Sequence, residues 1–156
     1  MPNYKKLFKD ILKDIEQCST CIRTKVGAII VKDGRIISTG WNGVPKGKDH
    51  CEHVFNFHPS LEAGDIKTFS NIHHEFANKN EIHAEENAIA YAARNGIKTG
   101  DAEIYISISP CVFCAKLICA SGIKRVFYIK EYDRDKAGIK FLKNNNIVCE
   151  ELEWKI

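Results

Sequence analysis

Apolar side chains recur at helical intervals near the start of the chain. Leu7, Ile11, Leu12 and Ile15 share one face, which predicts an amphipathic helix over residues 4–17. Two β-branched runs follow, VGAIIV at 26–31 and RIISTGW at 35–41. Lys32-Asp33-Gly34 joins them, and an Asp-Gly pair between such runs signals a hairpin. From about 43 to 80 the period is lost; this stretch is rich in Gly, His, Asn, Lys and Pro and reads as a long loop in need of an anchor. Periodicity returns in IHAEENAIAYAARN (82–95), an alanine-rich helix stopped by Gly96. AEIYISIS (102–109) alternates Ile104, Ile106 and Ile108 and predicts a strand. Ser109-Pro110 reads as the N-cap and first residue of a helix that runs to Ser121-Gly122. RVFYI (125–129) is a strand, 134–143 a helix and IVCEEL (147–152) a last strand. The order α-β-β-α-β-α-β-α-β predicts one α/β domain over 1–156, a mixed five-stranded sheet with helices on its faces.

Composition narrows the class. The 156 residues are enough for one core without disulfide staples. A formal charge of +3 suits small anions such as nucleotides but is too weak for a duplex-binding surface. No signal-peptide pattern and no membrane-length apolar run is present, so the chain is expected in the cytoplasm. There, seven cysteines point to metal binding or reactivity rather than to disulfides.

The candidate chemistry lies in His83-Ala84-Glu85 and Pro110-Cys111-Val112-Phe113-Cys114. A Cys-x-x-Cys pair at a helix start places both sulfurs on one side, where the helix dipole favours the thiolate that zinc requires. His83, Cys111 and Cys114 make three N/S ligands and leave one tetrahedral position open, the catalytic arrangement. Glu85, two residues past the histidine, is placed beside the metal without ligating it. It can take a proton from a zinc-activated water and deliver it to a substrate. Either half alone could be a redox pair, half of a structural zinc site or nothing. Together they form the His-x-Glu…Pro-Cys-x-x-Cys signature of zinc nucleobase deaminases.

Around that signature the chain resembles the cytidine deaminase superfamily, and within it the deoxycytidylate deaminases of phage and bacterial type. The pieces are KVGAIIV (25–31), GRIISTGWNGVPKG (34–47), NEIHAEENAI (80–89), AARNG (92–96), SPCVFCAKLI (109–118), SGIKRVFY (121–128) and EYD (131–133). The resemblance implies a three-layer α/β/α fold, hydrolysis of dCMP to dUMP, and a homohexamer activated by dCTP and inhibited by dTTP, with Mg2+ accompanying the regulatory triphosphate. It gives Asn42 to the deoxyribose, Tyr132 to the phosphate, and the backbone at Ala84 and Ser109 to the pyrimidine edges. Arg23, Thr24 and Lys25 would flank the pocket. Gly43, Lys46, Lys48 and Arg94 would meet the regulatory nucleotide, although the glycine loop also reads as an ordinary turn and Arg94 as an exposed helix-terminal arginine.

The resemblance also implies a second zinc. Its ligands would be Cys21, Cys51, His73 and Glu81, a closed set that would anchor the insertion at 43–80. Cys18, His50, His53 and His74 compete for those places, while Cys119 and Cys149 read as core thiols. Competing functions are a deaminase of dCTP or of both nucleotides, a nucleic-acid editing deaminase, and a catalytically silent zinc protein. The weak net charge argues against the editing enzyme, and an intact Glu85 against the silent one.

Overall fold

The computed structural model describes residues 3–56 and 58–153. Among them are five strands and seven helices: α1 (Tyr4–Glu16), β1 (Gly27–Lys32), β2 (Arg35–Trp41), α2 (Cys51–Phe55), α3 (Pro59–Glu62), α4 (Ile66–Asn80), α5 (Ala84–Arg94), β3 (Glu103–Ile108), α6 (Val112–Ala120), β4 (Arg125–Lys130), α7 (Ala137–Asn144) and β5 (Val148–Glu151). The strands form one mixed sheet in the order β2-β1-β3-β4-β5. β1 pairs antiparallel with β2 and β3, while β3, β4 and β5 run parallel. No helix among the described residues is long and apolar enough to cross a membrane.

The hairpin forms as expected. Asp33 and Gly34 both take positive φ, 51° and 72°, the backbone that a two-residue turn needs to follow strand twist. Alternation then divides β1 and β3 between two cores. Ala28, Ile30, Ile104 and Ile106 face α5 and α6, whereas Ile29, Val31 and Tyr105 face α1 through Phe8 and Leu12. Each of these large apolar side chains contributes about 1.5–3 kcal/mol when fully buried.

α5 packs on the sheet through small residues, Ala84, Ala88 and Ala92, each wholly buried. Gly40 on β2 completes that contact: a Cβ there would come within 2.3 Å of Ala84 O and 2.5 Å of Ala88 N. Since these are backbone atoms, α5 itself would have to move. Gly40→Ala is therefore expected to destabilise the fold by about 1–3 kcal/mol, the range for overpacking, and to displace His83 and Glu85. Denaturant unfolding measures the first effect; an unchanged midpoint would contradict the packing described.

Three expectations are corrected. The stretch 43–80 is not a loop, because α2, α3 and α4 occupy most of it. Its apolar side chains Phe55, Phe69, Ile72 and Phe76 build a small third core around Cys21 and Cys51. The helix after β3 begins at Val112, with Cys111 rather than Ser109 as its N-cap. Ser109 Oγ instead accepts the Tyr132 N–H at 2.7 Å. The helix expected from 134 begins at Ala137, whose N–H donates to Asp135 Oδ1 at 2.8 Å.

Candidate metal centre and nucleotide cleft

Two helix starts bring the catalytic candidates together. His83 is the N-cap of α5, its backbone N–H donating to Glu86 Oε2 at 2.8 Å in half of a capping box. Cys111 caps α6, and its sulfur accepts the Cys114 N–H at 3.5 Å. His83 Nδ1 stands 3.7 Å from Cys111 Sγ and 3.4 Å from Cys114 Sγ. The three ligand atoms lie within 4.8 Å of one another, close enough to share one ion. A hydrogen bond from Cys114, then one from His83, holds the Cys111 thiol down to about 4. The same contact with Cys111 pushes His83 up to about 9. Cys114 is raised by its bond to Cys111 and by burial. Zinc takes up cysteine as the thiolate, the form that these contacts favour at Cys111.

Glu85 is the second residue of α5 and is only 4% exposed. Burial pushes its carboxyl up to about 7, against the pull of the neighbouring His83 charge. It lines a cleft of about 280 Å³ together with His83, Ala84, Cys111, Ser109 and Asn42. Asn42 builds the cleft wall: its Oδ1 accepts the Val26 N–H at 2.8 Å and its Nδ2 donates to Thr24 O at 2.9 Å.

Arg23, Thr24, His74, Tyr132 and Arg134 also line the cleft, Arg23 and Arg134 exposed and the other three half-buried. Burial, then the charges of Arg134 and Arg23, holds His74 below its usual pKa, so the two guanidinium groups act on the same residue. Arg134 Nη2 donates to Ser70 Oγ on α4 at 2.7 Å. Sequence reasoning missed Arg134, which sits on the loop after β4. Lys25 is not among the lining residues; its Nζ reaches Gln17 Oε1 at 3.5 Å instead.

The second cluster also assembles. Cys21, Cys51, His73 and Glu81 place one ligand atom each within 4.8 Å of one another, and the first three are almost wholly buried. Cys21 Sγ is 3.5 Å from His73 Nε2, and Cys51 Sγ accepts the Ile22 N–H at 3.3 Å. A bond from Cys51 holds Cys21 down to about 4, while burial and the Cys21 charge raise Glu81. Two sulfurs, one imidazole and one carboxylate make a donor set suited to zinc with no open position. His73 Nδ1, set among the rings of Phe55, Phe69 and Phe76, is the one buried side-chain polar atom without a hydrogen bond among the described residues. Cys18 is exposed, His50 bonds to Thr20, and Asn78 bonds to His74.

The residues expected at a regulatory nucleotide lie elsewhere. Gly43 pairs with Ile82 in an isolated antiparallel bridge. Lys46 and Lys48 are exposed on the loop that follows. Arg94 ends α5, about 15 Å from the helix start at a rise of 1.5 Å per residue, and stacks over the Tyr91 ring at 5.7 Å.

The comparisons agree with this geometry. The deoxycytidylate deaminase of Enterobacteria phage T2 is 41% identical, over 80% of this chain and 78% of that protein. ComE operon protein 2 of Bacillus subtilis is 33% identical, over 86% of this chain and 64% of that protein. The crystal structure of dCMP deaminase from the cyanophage S-TIM5 in complex with dCMP and dUMP is 31% identical and superposes with a TM-score of 0.79, covering 97% of this chain and 98% of that one. The cytidine and deoxycytidylate deaminase zinc-binding region matches residues 1–130, and this chain, with its three-ligand cluster and buried glutamate, belongs to that family.

Proposed function

We propose that this protein is a zinc-dependent hydrolase that converts dCMP to dUMP and ammonia. The observation that carries this reading is the polarity of the cleft. His83, Cys111 and the buried Glu85 line it, with Cys114 completing the ligand cluster, and the exposed Arg23 and Arg134 belong to the same lining. A nucleoside monophosphate has matching ends, a reactive base and a dianionic phosphate. Names of the phage relatives and the dCMP and dUMP bound by the cyanophage enzyme support the choice of base and sugar.

Zinc, held by His83, Cys111 and Cys114, would supply a Lewis acid that makes water a nucleophile near neutral pH. Glu85 takes a proton from the attacking water and passes it to N3 of the cytosine. The C4–N4 bond then breaks, ammonia leaves with a second proton, and a C4 carbonyl remains. Asn42 shapes the sugar wall, and the backbone at Ala84 and Ser109 frames the base. Tyr132, Arg23 and Arg134 receive the phosphate, with Thr24 beside them. The second cluster is a structural zinc site that ties α2 and α4 to the loop before β1. Activation by dCTP and inhibition by dTTP with Mg2+, through Gly43, Lys46, Lys48 and Arg94 of a hexamer, extend this reading on the resemblance alone.

Ammonia release from dCMP, dCTP, deoxycytidine and cytidine tests the proposal. Turnover confined to the nucleosides would overturn it, and preference for dCTP would move it to the triphosphate. Arg134→Ala sharpens the test. Loss of a hydrogen bond to a charged group is expected to raise KM for dCMP about 10- to 100-fold and to leave deoxycytidine unaffected. An unchanged ratio between the two substrates would remove Arg134 from the phosphate.

A further inference from the structure

The segment joining β4 to α7 runs back along the turn that carries Cys111. The Ser109 N–H donates to Lys130 O at 2.8 Å, and the Tyr132 N–H donates to Ser109 Oγ at 2.7 Å. Three residues on, Asp135 spans two helix starts. Its Oδ2 accepts the Val112 N–H at 2.8 Å and its Oδ1 accepts the Ala137 N–H at 2.8 Å. Gly138, the second residue of α7, then presses against the same turn. A Cβ there would come within 2.0 Å of Pro110 O and 2.9 Å of both Cys111 C and Cys111 O.

These contacts converge on one peptide group. The bond between Cys111 and Val112 has its N–H on Asp135 and its carbonyl against Gly138. Val112 opens α6, so its N–H has no helical carbonyl to meet. The Cys111 sulfur takes the N–H of Cys114 instead, and Asp135 serves Val112. A carboxylate at this end of the helix is also favoured by the helix dipole. With both edges of the peptide fixed, the direction in which Cys111 leaves the turn is fixed as well.

We infer that Asp135 is a positioning residue for the metal loop: by holding the Cys111–Val112 peptide it aims the Cys111 sulfur at the metal shared with His83 and Cys114. The inference rests on the zinc reading given above. Groups that orient metal ligands from outside typically cost 10- to 100-fold in affinity when removed. Asp135 belongs to this class, although it touches neither the metal nor the substrate.

The test is alkylation of the zinc-loaded full chain with iodoacetamide, with labelling rates resolved per cysteine by mass spectrometry. In the parent protein, zinc is expected to protect Cys111 and Cys114; if it does not, the metal reading itself fails. In Asp135→Ala, labelling of Cys111 and Cys114 is expected to rise about 10-fold or more, while Cys21 and Cys51 keep the parent rate. Parent-like rates at Cys111 and Cys114 would overturn the inference. So would an equal rise at all four cysteines, which would mark general loosening. Asp135→Asn keeps an acceptor for Val112 but loses the charge and the bond to Ala137. It is expected to label at an intermediate rate, and it decides the question alone if Asp135→Ala does not fold, parent-like labelling then overturning the inference.

Discussion

Glu85→Gln is expected to lower kcat for dCMP by about 100- to 10,000-fold, the usual share of a positioned acid–base group, while metal content stays at the parent value. Glutamine keeps the size of the side chain and its place at the second residue of α5, so the buried pocket around it is preserved. What it loses is the ability to accept a proton from water and return it to N3. Binding should suffer little, because glutamine keeps the size and reach of the side chain. A steady-state assay following loss of the cytosine absorbance would therefore show a fall in kcat with KM nearly constant. A variant that turns over dCMP at the parent rate would remove Glu85 from the chemistry, and one that has lost its metal would show that Glu85 holds the site together instead.

The second large effect concerns stability. Cys51→Ala is expected to reduce bound zinc by about one ion per chain and to unfold α2 to α4. Closed zinc sites in small domains supply about 10–16 kcal/mol of apparent binding energy, comparable with the whole stability of an ordinary domain. The third core is small: Phe55 and Phe69 with Cys21 and Cys51, and Ile72 and Phe76 packed against it. Without the metal those few side chains have little else to order them. The two main cores use none of these residues, so the sheet with α1, α5 and α6 should remain. Elemental analysis gives the metal count, and limited proteolysis reports exposure of 51–80. Parent-like results in both would show the cluster to be an ordinary set of buried thiols. Turnover is expected to fall too, since unfolding α4 removes Ser70 from Arg134 and His74 from the cleft.

Much of this arrangement was legible in the sequence, because strict spacing carried it. The Asp-Gly hairpin and the alternation in β1 and β3 appear where the residues predict them; His83, Cys111 and Cys114 were read from spacing, Cys21, Cys51, His73 and Glu81 from the resemblance alone, and each group lies together in the structure. α4 was hidden for a physical reason. Its inward face is Phe69, Ile72, His73 and Phe76, so a histidine interrupts the apolar stripe, and most of the rest of the helix is polar. The start of α6 was misjudged because Ser109 is a good cap in isolation. In the folded chain its hydroxyl is claimed by Tyr132, and Cys111 takes over the cap. Arg134 gave no local signal at all: its place in the cleft lining depends on Ser70, 64 residues away.

The Gly43–Ile82 bridge fixes Ile82 by both its N–H and its carbonyl, at 2.8 and 3.1 Å. One neighbour of Ile82, Glu81, belongs to the group with Cys21, Cys51 and His73, and the other, His83, to the group with Cys111 and Cys114. Chain length is therefore frozen between Glu81 and Glu85: one inserted residue would turn either a ligand or the proton carrier away from its partner. The turn at Gly64, between α3 and α4, meets no such constraint, since it has positive φ and open space around it. Lengthening or shortening of this chain can be accommodated there, at the rim of the insertion, and not in the five residues that contribute to both ligand groups.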